Sequence, residues 1–436
     1  MLLFYTEKIT PRLKYSAKAL LKQLLGLEIS IITDKEDYLQ STLPKINYSK
    51  NPLQSGIYIQ SANLLFEHDI FEQEFHISST DKGEPLLYSS GKQSQLSFDP
   101  FASTFFMLTR YEEYIPFIAD EHNRFPAKES LLSKKGKLHL PVVNIWANIL
   151  AEKLLEFYPN LSIKKPAYRF TNTVDIDNAY AYLGKGIMRT FGGIFKDIFS
   201  LNFSELAQRT QVLMGNQKDP FETFDHVLSL QEKYGFETIY FALFSTASKY
   251  DRNLSLYSPR LQRYLKSIND FCTVGIHPSY RSNNDPKVAE EELLRLEEVL
   301  NTDVIHSRQH FIKLSFPETY RNLIDLEIEH DYSMGFAAES GFRAGICTPF
   351  TFYDLELEVE TKLTVHPFPF MDGTYIYYQQ TSPKDALAEI LNYIEVYKQY
   401  GGEFIPLWHN RIFSEKDPLW KGWNEVYEEM IKAATT

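Results

Sequence analysis

From Tyr168 onward the chain alternates short apolar runs with amphipathic stretches, and this alternation restricts the fold more than any other feature. YRFTNTV, FETIYFALF, FCTVGI, VIHSRQHF, YSMGFA, KLTVHPF and EFIPLW read as strands. The segments Pro220 to Tyr234, Pro259 to Asn269, Pro286 to Leu300 and Glu318 to Leu326 read as helices. In the third of these, Leu293, Leu296 and Leu300 share one face. A further helix is capped by Ser382, begins at Pro383 and is closed by Gly401-Gly402. Strands joined through helices of this length pair in parallel, because each helix returns the chain to the same end of the sheet. Seven or eight such units suggest a barrel.

The first 160 residues do not repeat that pattern. Lys14 to Leu25 has helical spacing and ends at Gly26, LEISIITD and GIYIQSANLLF read as strands, and Pro100 to Tyr114 and Val142 to Phe157 read as helices. The expected class is therefore α/β, with a smaller α/β domain over residues 1–160 preceding a β/α barrel over residues 161–436. The smaller domain is expected to pack on the barrel and to supply no metal ligand, with Arg110, Glu112 and Glu113 near the contact.

Composition narrows the partners. The net charge of −12 opposes a nucleic-acid backbone and an anionic lipid surface, so neither nucleic acid nor membrane is expected. No window reaches the apolar length of a spanning helix, and the N-terminal stretch has basic residues where a secretion signal would be apolar. Cys272 and Cys347 are too few for a disulfide framework and read as buried thiols, so a cytoplasmic location is expected. The 28 Tyr and 32 Phe are explained by large aromatic cores; a cleft with stacking platforms for sugars would use the same residues.

The residues that follow the strands carry the chemistry. They read Asp175-Ile176-Asp177, His277-Pro278-Ser279, Arg308-Gln309-His310 and Trp408-His409-Asn410. In a barrel these converge on one mouth. One histidine at a strand end is ordinarily a hydrogen-bonded structural residue, and an Asp there is ordinarily a helix cap. Four such positions on one rim point instead to a divalent metal held by a carboxylate and imidazoles with a coordination position open. Asp175 and Asp177, at i and i+2, face the same side of an extended chain.

These strand ends resemble the motifs of the polysaccharide deacetylase (NodB-homology, carbohydrate esterase type) superfamily. Its Thr-Phe-Asp-Asp is matched by Thr173-Val174-Asp175-Ile176-Asp177, its His-x-x-x-His by His277, and its Leu-x-His by Leu407-Trp408-His409. The Arg that opens another motif corresponds to Arg308. FDPFASTFFMLTRYEEY with DEHNRFPAKES is similar to a domain of unknown function that precedes such barrels in some bacterial proteins. The resemblance implies a (β/α)7-type barrel and a metal-dependent hydrolase that removes acetyl groups from N-acetylated sugars or polysaccharide. It implies Asp175 as catalytic base and His409 as catalytic acid, and the clustering of Asp and His at strand ends makes zinc the expected ion. The residue four after His277 is Arg281, which cannot replace the second histidine, so the ligand set expected here is Asp177, His277 and His310. The roles of Asp175 and Asp177 are open to exchange. Arg308, Arg343, Trp408 and Asn410 are expected at a carbohydrate-binding mouth, although Trp408 also suits barrel packing and the arginines also suit pairing with acids.

Other residues have plainer readings. His366 suits a packed strand, Asp372-Gly373 a turn, and Glu290 to Glu292 a solvated helix face. His306 and His330 have no constellation around them. Two rival functions stay open: a glycan-binding or scaffold protein on a degenerate barrel, and a metal-free glycoside hydrolase. The second is disfavoured because glycosidase carboxylates come from different strands to flank a bond, whereas Asp175 and Asp177 are neighbours.

Overall fold

The computed structural model describes residues 1–436, the side chains of Arg189 and Ile194 excepted. It contains two main sheets. The first comprises β1 (Leu2–Thr6), β2 (Ile29–Ile32), β3 (Lys45–Ser49) and β4 (Ile57–Gln60), all parallel, in the order β2-β1-β3-β4. The two strands that sequence reading missed, β1 and β3, are its centre. Both are buried along their whole length, and LLFYT and KINYS are too short to show a period. A small hairpin, β5 (Ser78–Ser79) with β6 (Pro85–Leu86), follows.

The second sheet holds β7 (Tyr168–Ile176), β8 (Glu237–Ala242), β9 (Thr273–Ile276), β10 (His306–Ser307), β11 (His330–Met334), β12 (Phe350–Asp354), β13 (Val359–Pro367), β14 (Gly402–Phe404) and β15 (Leu407–His409). Its order is β12-β13-β11-β10-β9-β8-β7-β14, with β15 continuing along β7. Every ladder is parallel except β12 with β13. The molecule is thus mixed α/β around a parallel-rich sheet, and the ladder does not run continuously into a closed barrel. Between the β13 and β15 sides, the described residues show one isolated bridge, Met371 with Leu407, and a 3.2 Å bond from Leu407 N to Phe370 O.

Local signals explain the helices. Ser382 caps Pro383–Tyr400 by accepting from Asp385 N, and Gly235 ends Phe224–Tyr234 at φ 71°, which glycine adopts without strain. Two helices that the sequence reading did not assign, Ile187–Phe199 and Phe203–Leu213, follow β7, and a third, Trp423–Thr435, ends the chain. Among the described residues no helix is long and apolar enough to cross a membrane.

The first 160 residues and the second sheet share one hydrophobic cluster. Tyr15 Oη donates to Thr351 O on β12 (2.7 Å), and Lys18 pairs with Glu360 on β13 (2.7 Å). The contact is sealed by buried charge. Arg110 Nε donates to Glu113 Oε1 (2.7 Å) and its Nη2 to Glu112 Oε1 (2.8 Å), while Arg343 Nε donates to the same Glu113 Oε1 (2.9 Å). Arg343 therefore lies in this interface and not at the mouth where it was expected.

Candidate metal centre

β7 delivers Asp175 and, one residue past its end, Asp177, with Ile176 turned the other way into the core. β9 ends one residue before His277, and β10 ends three residues before His310. The three expected ligands meet: one ligand atom from each of Asp177, His277 and His310 lies within 4.8 Å of the others. His277 Nε2 is 3.4 Å and His310 Nε2 is 3.6 Å from Asp177 Oδ1. Metal–ligand bonds of about 2.0–2.1 Å at tetrahedral angles put ligand atoms about 3.3–3.4 Å apart, so the spacing suits an ion.

Hydrogen bonding gives the stronger test. His277 Nδ1 donates to the carbonyl oxygen of Arg308 (2.5 Å), which can only accept. His310 Nδ1 donates to Asp251 Oδ1 (2.9 Å). In the neutral rings both Nε2 atoms then present lone pairs. They face Asp177 Oδ1, a buried carboxylate oxygen with no hydrogen bond. With both rings neutral, three acceptors converge without a donor. An ion satisfies Asp177 Oδ1, or without one a proton on His277, whose pKa burial lowers but Asp175 and Asp177 raise. Each imidazole is already oriented from behind as metal ligands are. Asp177 stays ionised: burial raises its pKa, but His409, His310, Arg411 and His277 outweigh burial and hold it well below the usual carboxylate range.

Asp175 and His409 flank this group. Asp175 Oδ1 accepts from Arg308 Nη1 (2.9 Å), and its Oδ2 is 3.7 Å from His277 Nε2. β15 pairs with β7 so that His409 lies in register with Asp175. His409 Nδ1 donates to Asp372 Oδ1 (2.6 Å), and its Nε2 is 3.5 Å from Asp177 Oδ2. Burial disfavours the imidazolium, but Asp372 and Asp177 outweigh burial and raise the pKa of His409.

Three residues were missed. Asp372 was read as a turn, yet it is fully buried and also accepts from His409 N (2.7 Å). Asp251 sits in a loop and orients His310 while accepting from Ser248 Oγ (2.6 Å) and Tyr280 N (2.8 Å). Arg411 donates to Asp177 Oδ2 (2.9 Å) and so occupies the oxygen that faces away from His277 and His310. None of the three left a usable signal: Asp372, followed by Gly373, reads as a turn.

The expected mouth residues are placed differently. Arg308 is fully buried: besides Asp175 it holds Thr173 Oγ1 (2.9 Å) and Tyr332 O (3.0 Å), and it lies over the Phe241 ring. Trp408 is fully buried against Tyr427, Phe370 and Trp423, so it offers no face to a sugar. The Asn410 side chain is buried, and its Nδ2 donates to the carbonyls of Asn178 and Phe221. Arg281 is exposed and does not fill the cluster. Glu292 is buried, against expectation, and accepts from Ser279 N beside His277 (3.0 Å); burial pushes its pKa up to about 7. The cluster opens into a cavity of about 170 Å³ whose outer wall includes Phe311, Tyr377, Tyr378 and Arg411. Arg124, from the first part of the chain, also lines it and donates to Phe311 O (2.6 Å).

Comparison with known proteins adds little to this geometry. Several solved structures resemble the chain, three of them as follows. One is a protein assigned as a polysaccharide deacetylase from Mycobacterium smegmatis, 12% identical, TM-score 0.39, the match covering 62% of this chain and 88% of that one. Another, assigned likewise from Pseudomonas aeruginosa PAO1, is 9% identical, TM-score 0.37, covering 61% and 83%. The third, Puue allantoinase, is 11% identical, TM-score 0.37, covering 62% and 83%. Likenesses this distant carry no argument about the chemistry of this chain. No curated protein matches it. Residues 2–159 match a family described as "Family of unknown function (DUF7033)".

Proposed function

We propose that the chain is a divalent-metal-dependent hydrolase that removes acetyl groups from N-acetylated sugars or polysaccharide. The observation that carries this reading is the unsatisfied Asp177 Oδ1 facing two imidazoles whose far nitrogens are already hydrogen bonded. Asp177, His277 and His310 would hold the ion, with zinc the first choice for a one-carboxylate, two-imidazole set. Bound there, it would acidify a water and polarise an acyl carbonyl.

The remaining roles belong to the chain's own groups. Asp175 is the base. Arg308 holds Oδ1 and leaves Oδ2 to take a proton from the attacking water. His409 is the acid: Asp372 and Asp177 raise its pKa, which favours the protonated ring, and Asp372 fixes the ring so that Nε2 faces the cluster. After attack, that proton passes to the departing amine nitrogen, the C–N bond breaks, and acetate and the free amine leave. Phe311, Tyr377 and Tyr378 offer aromatic faces for a sugar ring at the cavity wall. The order of motifs along the sequence, similar to that of the polysaccharide deacetylases, supports the choice of an acetylated carbohydrate, and the two-part reading of the chain, 1–160 and 161–436, goes with it.

The test is acetate release from a panel of N-acetylated mono- and oligosaccharides, with zinc, cobalt or manganese restored to chelator-treated protein. Metal-dependent release supports the reading. A protein that takes up no divalent ion sinks it. One that binds glycans equally well after Asp175→Asn and His409→Ala, without any turnover, is a binding protein.

A further inference from the structure

After β7 the chain leaves the second sheet and returns to it at the helix Phe224–Tyr234. The excursion is tied at its base by Asp219, whose carboxylate accepts from the backbone N–H groups of Ala181 (2.7 Å), Tyr182 (2.8 Å) and Leu183 (3.1 Å). It carries the helices Ile187–Phe199 and Phe203–Leu213, which meet through Arg209. Arg209 Nε donates to Asp197 Oδ2 (2.7 Å), and its guanidinium lies so close to Gly193 that a Cβ there would collide with it.

That contact decides which side of the first helix faces the protein. At about 100° per residue, Gly193 and Asp197 share one side, and Ile187, Met188, Phe191, Phe195, Ile198 and Phe199 form a continuous arc away from it. All six are exposed, Met188 to 88% and Phe199 to 84%. Leu201 and Phe203 extend the apolar surface beyond the helix end. A surface helix of a soluble protein buries its apolar stripe and shows its polar side. This one does the reverse, and apolar surface of this extent marks an interaction site.

The local charge identifies the partner. From Lys185 to Lys196 there are three basic residues and no acid, in a chain of net charge −12. The first acid after them, Asp197, is neutralised by Arg209. We propose that Ile187–Phe203 docks the protein on a lipid surface bearing anionic headgroups, with the apolar arc in the headgroup–acyl boundary. The expectation of no membrane partner rests on net charge; on this element the sign is reversed, and the acidic remainder, repelled by the same surface, orients the molecule. A second copy of the chain is the poorer occupant, because a two-fold contact through this arc would bring like bases together.

The experiment is flotation of the full chain with vesicles of mixed phosphatidylcholine and phosphatidylglycerol, and with phosphatidylcholine alone. Binding to the mixed vesicles, weaker on phosphatidylcholine and weakened by salt, is expected. Phe195→Ser combined with Phe199→Ser should lower the apparent affinity about tenfold or more, since two large apolar side chains leave the contact. Lys196→Glu should weaken binding to mixed vesicles and leave the phosphatidylcholine value unchanged. Far-UV circular dichroism and melting temperature establish that the variants fold. Absence of wild-type binding, or variants that float like wild type, overturns the proposal. So does a dimer seen by light scattering that forms without lipid and is lost in the double Phe variant.

Discussion

The second sheet carries three histidines at or just beyond its strand ends, His277, His310 and His409, and three more within or at the start of its strands, His306, His330 and His366. The two groups are alike in residue type and differ in how their lone pairs are met. In the second group His366 Nδ1 donates to Glu403 Oε2 (2.8 Å), and His330 Nδ1 meets His366 Nε2 (3.0 Å). Glu403 Oε1 accepts from Thr171 Oγ1 (2.7 Å), and Tyr332 Oη lies 3.3 Å from His306 Nδ1. The rings of His306 and His330 stack at 4.9 Å, and those of Tyr332 and His366 at 4.3 Å. Acceptors there are met by donors in a chain, whereas the first group leaves a buried carboxylate oxygen facing two more acceptors. Clustered histidines become candidates for an ion site when acceptors outnumber donors and the far nitrogens are held, and of these two groups the first meets both conditions with its rings neutral.

The largest effects expected from this contrast are catalytic. Asp175→Asn or His409→Ala should slow the chemical step by roughly 10²–10⁴-fold, the usual share of one base or acid, while His366→Ala leaves kcat unchanged. Acetate release under single-turnover conditions reads both, and an equal loss in His366→Ala would erase the distinction. A smaller effect is expected behind the ligands. Asp251→Asn, which weakens the hold on His310, should lower zinc affinity by about 10–100-fold in competition with a chelating indicator, and Glu403→Gln should not change it.

The smallest effect concerns pH. Burial, reinforced by His330 and His366 and only partly offset by Glu403, takes the His306 pKa down to about 4, against 6.5 for the free side chain. Between those values the unfolded chain binds the proton and the folded chain refuses it, so stability is complete above pH 6.5 and falls as pH drops toward 4. Thermal melts over that window should show a decline that His306→Phe makes shallower by a few degrees. A slope unaffected by the substitution would mean that another group titrates there.

Periodicity is what made part of this molecule legible in its sequence. Alternating strands and helices announced the parallel sheet, and positions at or just past strand ends announced Asp175, Asp177, His277, His310 and His409, because the chain itself carries them to one edge. Residues that act across the fold left no such mark. Asp251 lies in a loop without periodicity, and Asp-Gly at 372–373 looks like a turn whether or not its carboxylate holds a histidine. His306, His330 and His366 come from three strands, and their adjacency requires strand order, which spacing does not encode. The arginines and Trp408 mislead for a different reason: side chains suited to ligands are equally suited to buried packing, and Arg308, Arg343 and Trp408 were used for that. The helix Ile187–Phe199 is amphipathic in either orientation, so nothing in its pattern says which face looks outward.

The Arg110–Glu113–Arg343 contact makes the neighbourhood of residue 160 a poor place to divide the protein. A fragment beginning there would strip Arg343 of its carboxylate partner, and unpairing a buried charge costs on the order of 3–5 kcal/mol. It would also remove Arg124 from the cavity wall. The two parts are therefore expected to change together: loss of Glu113 should be tolerated only with a compensating change at Arg343, and a graft of either part should succeed only when both partners of this contact travel with it.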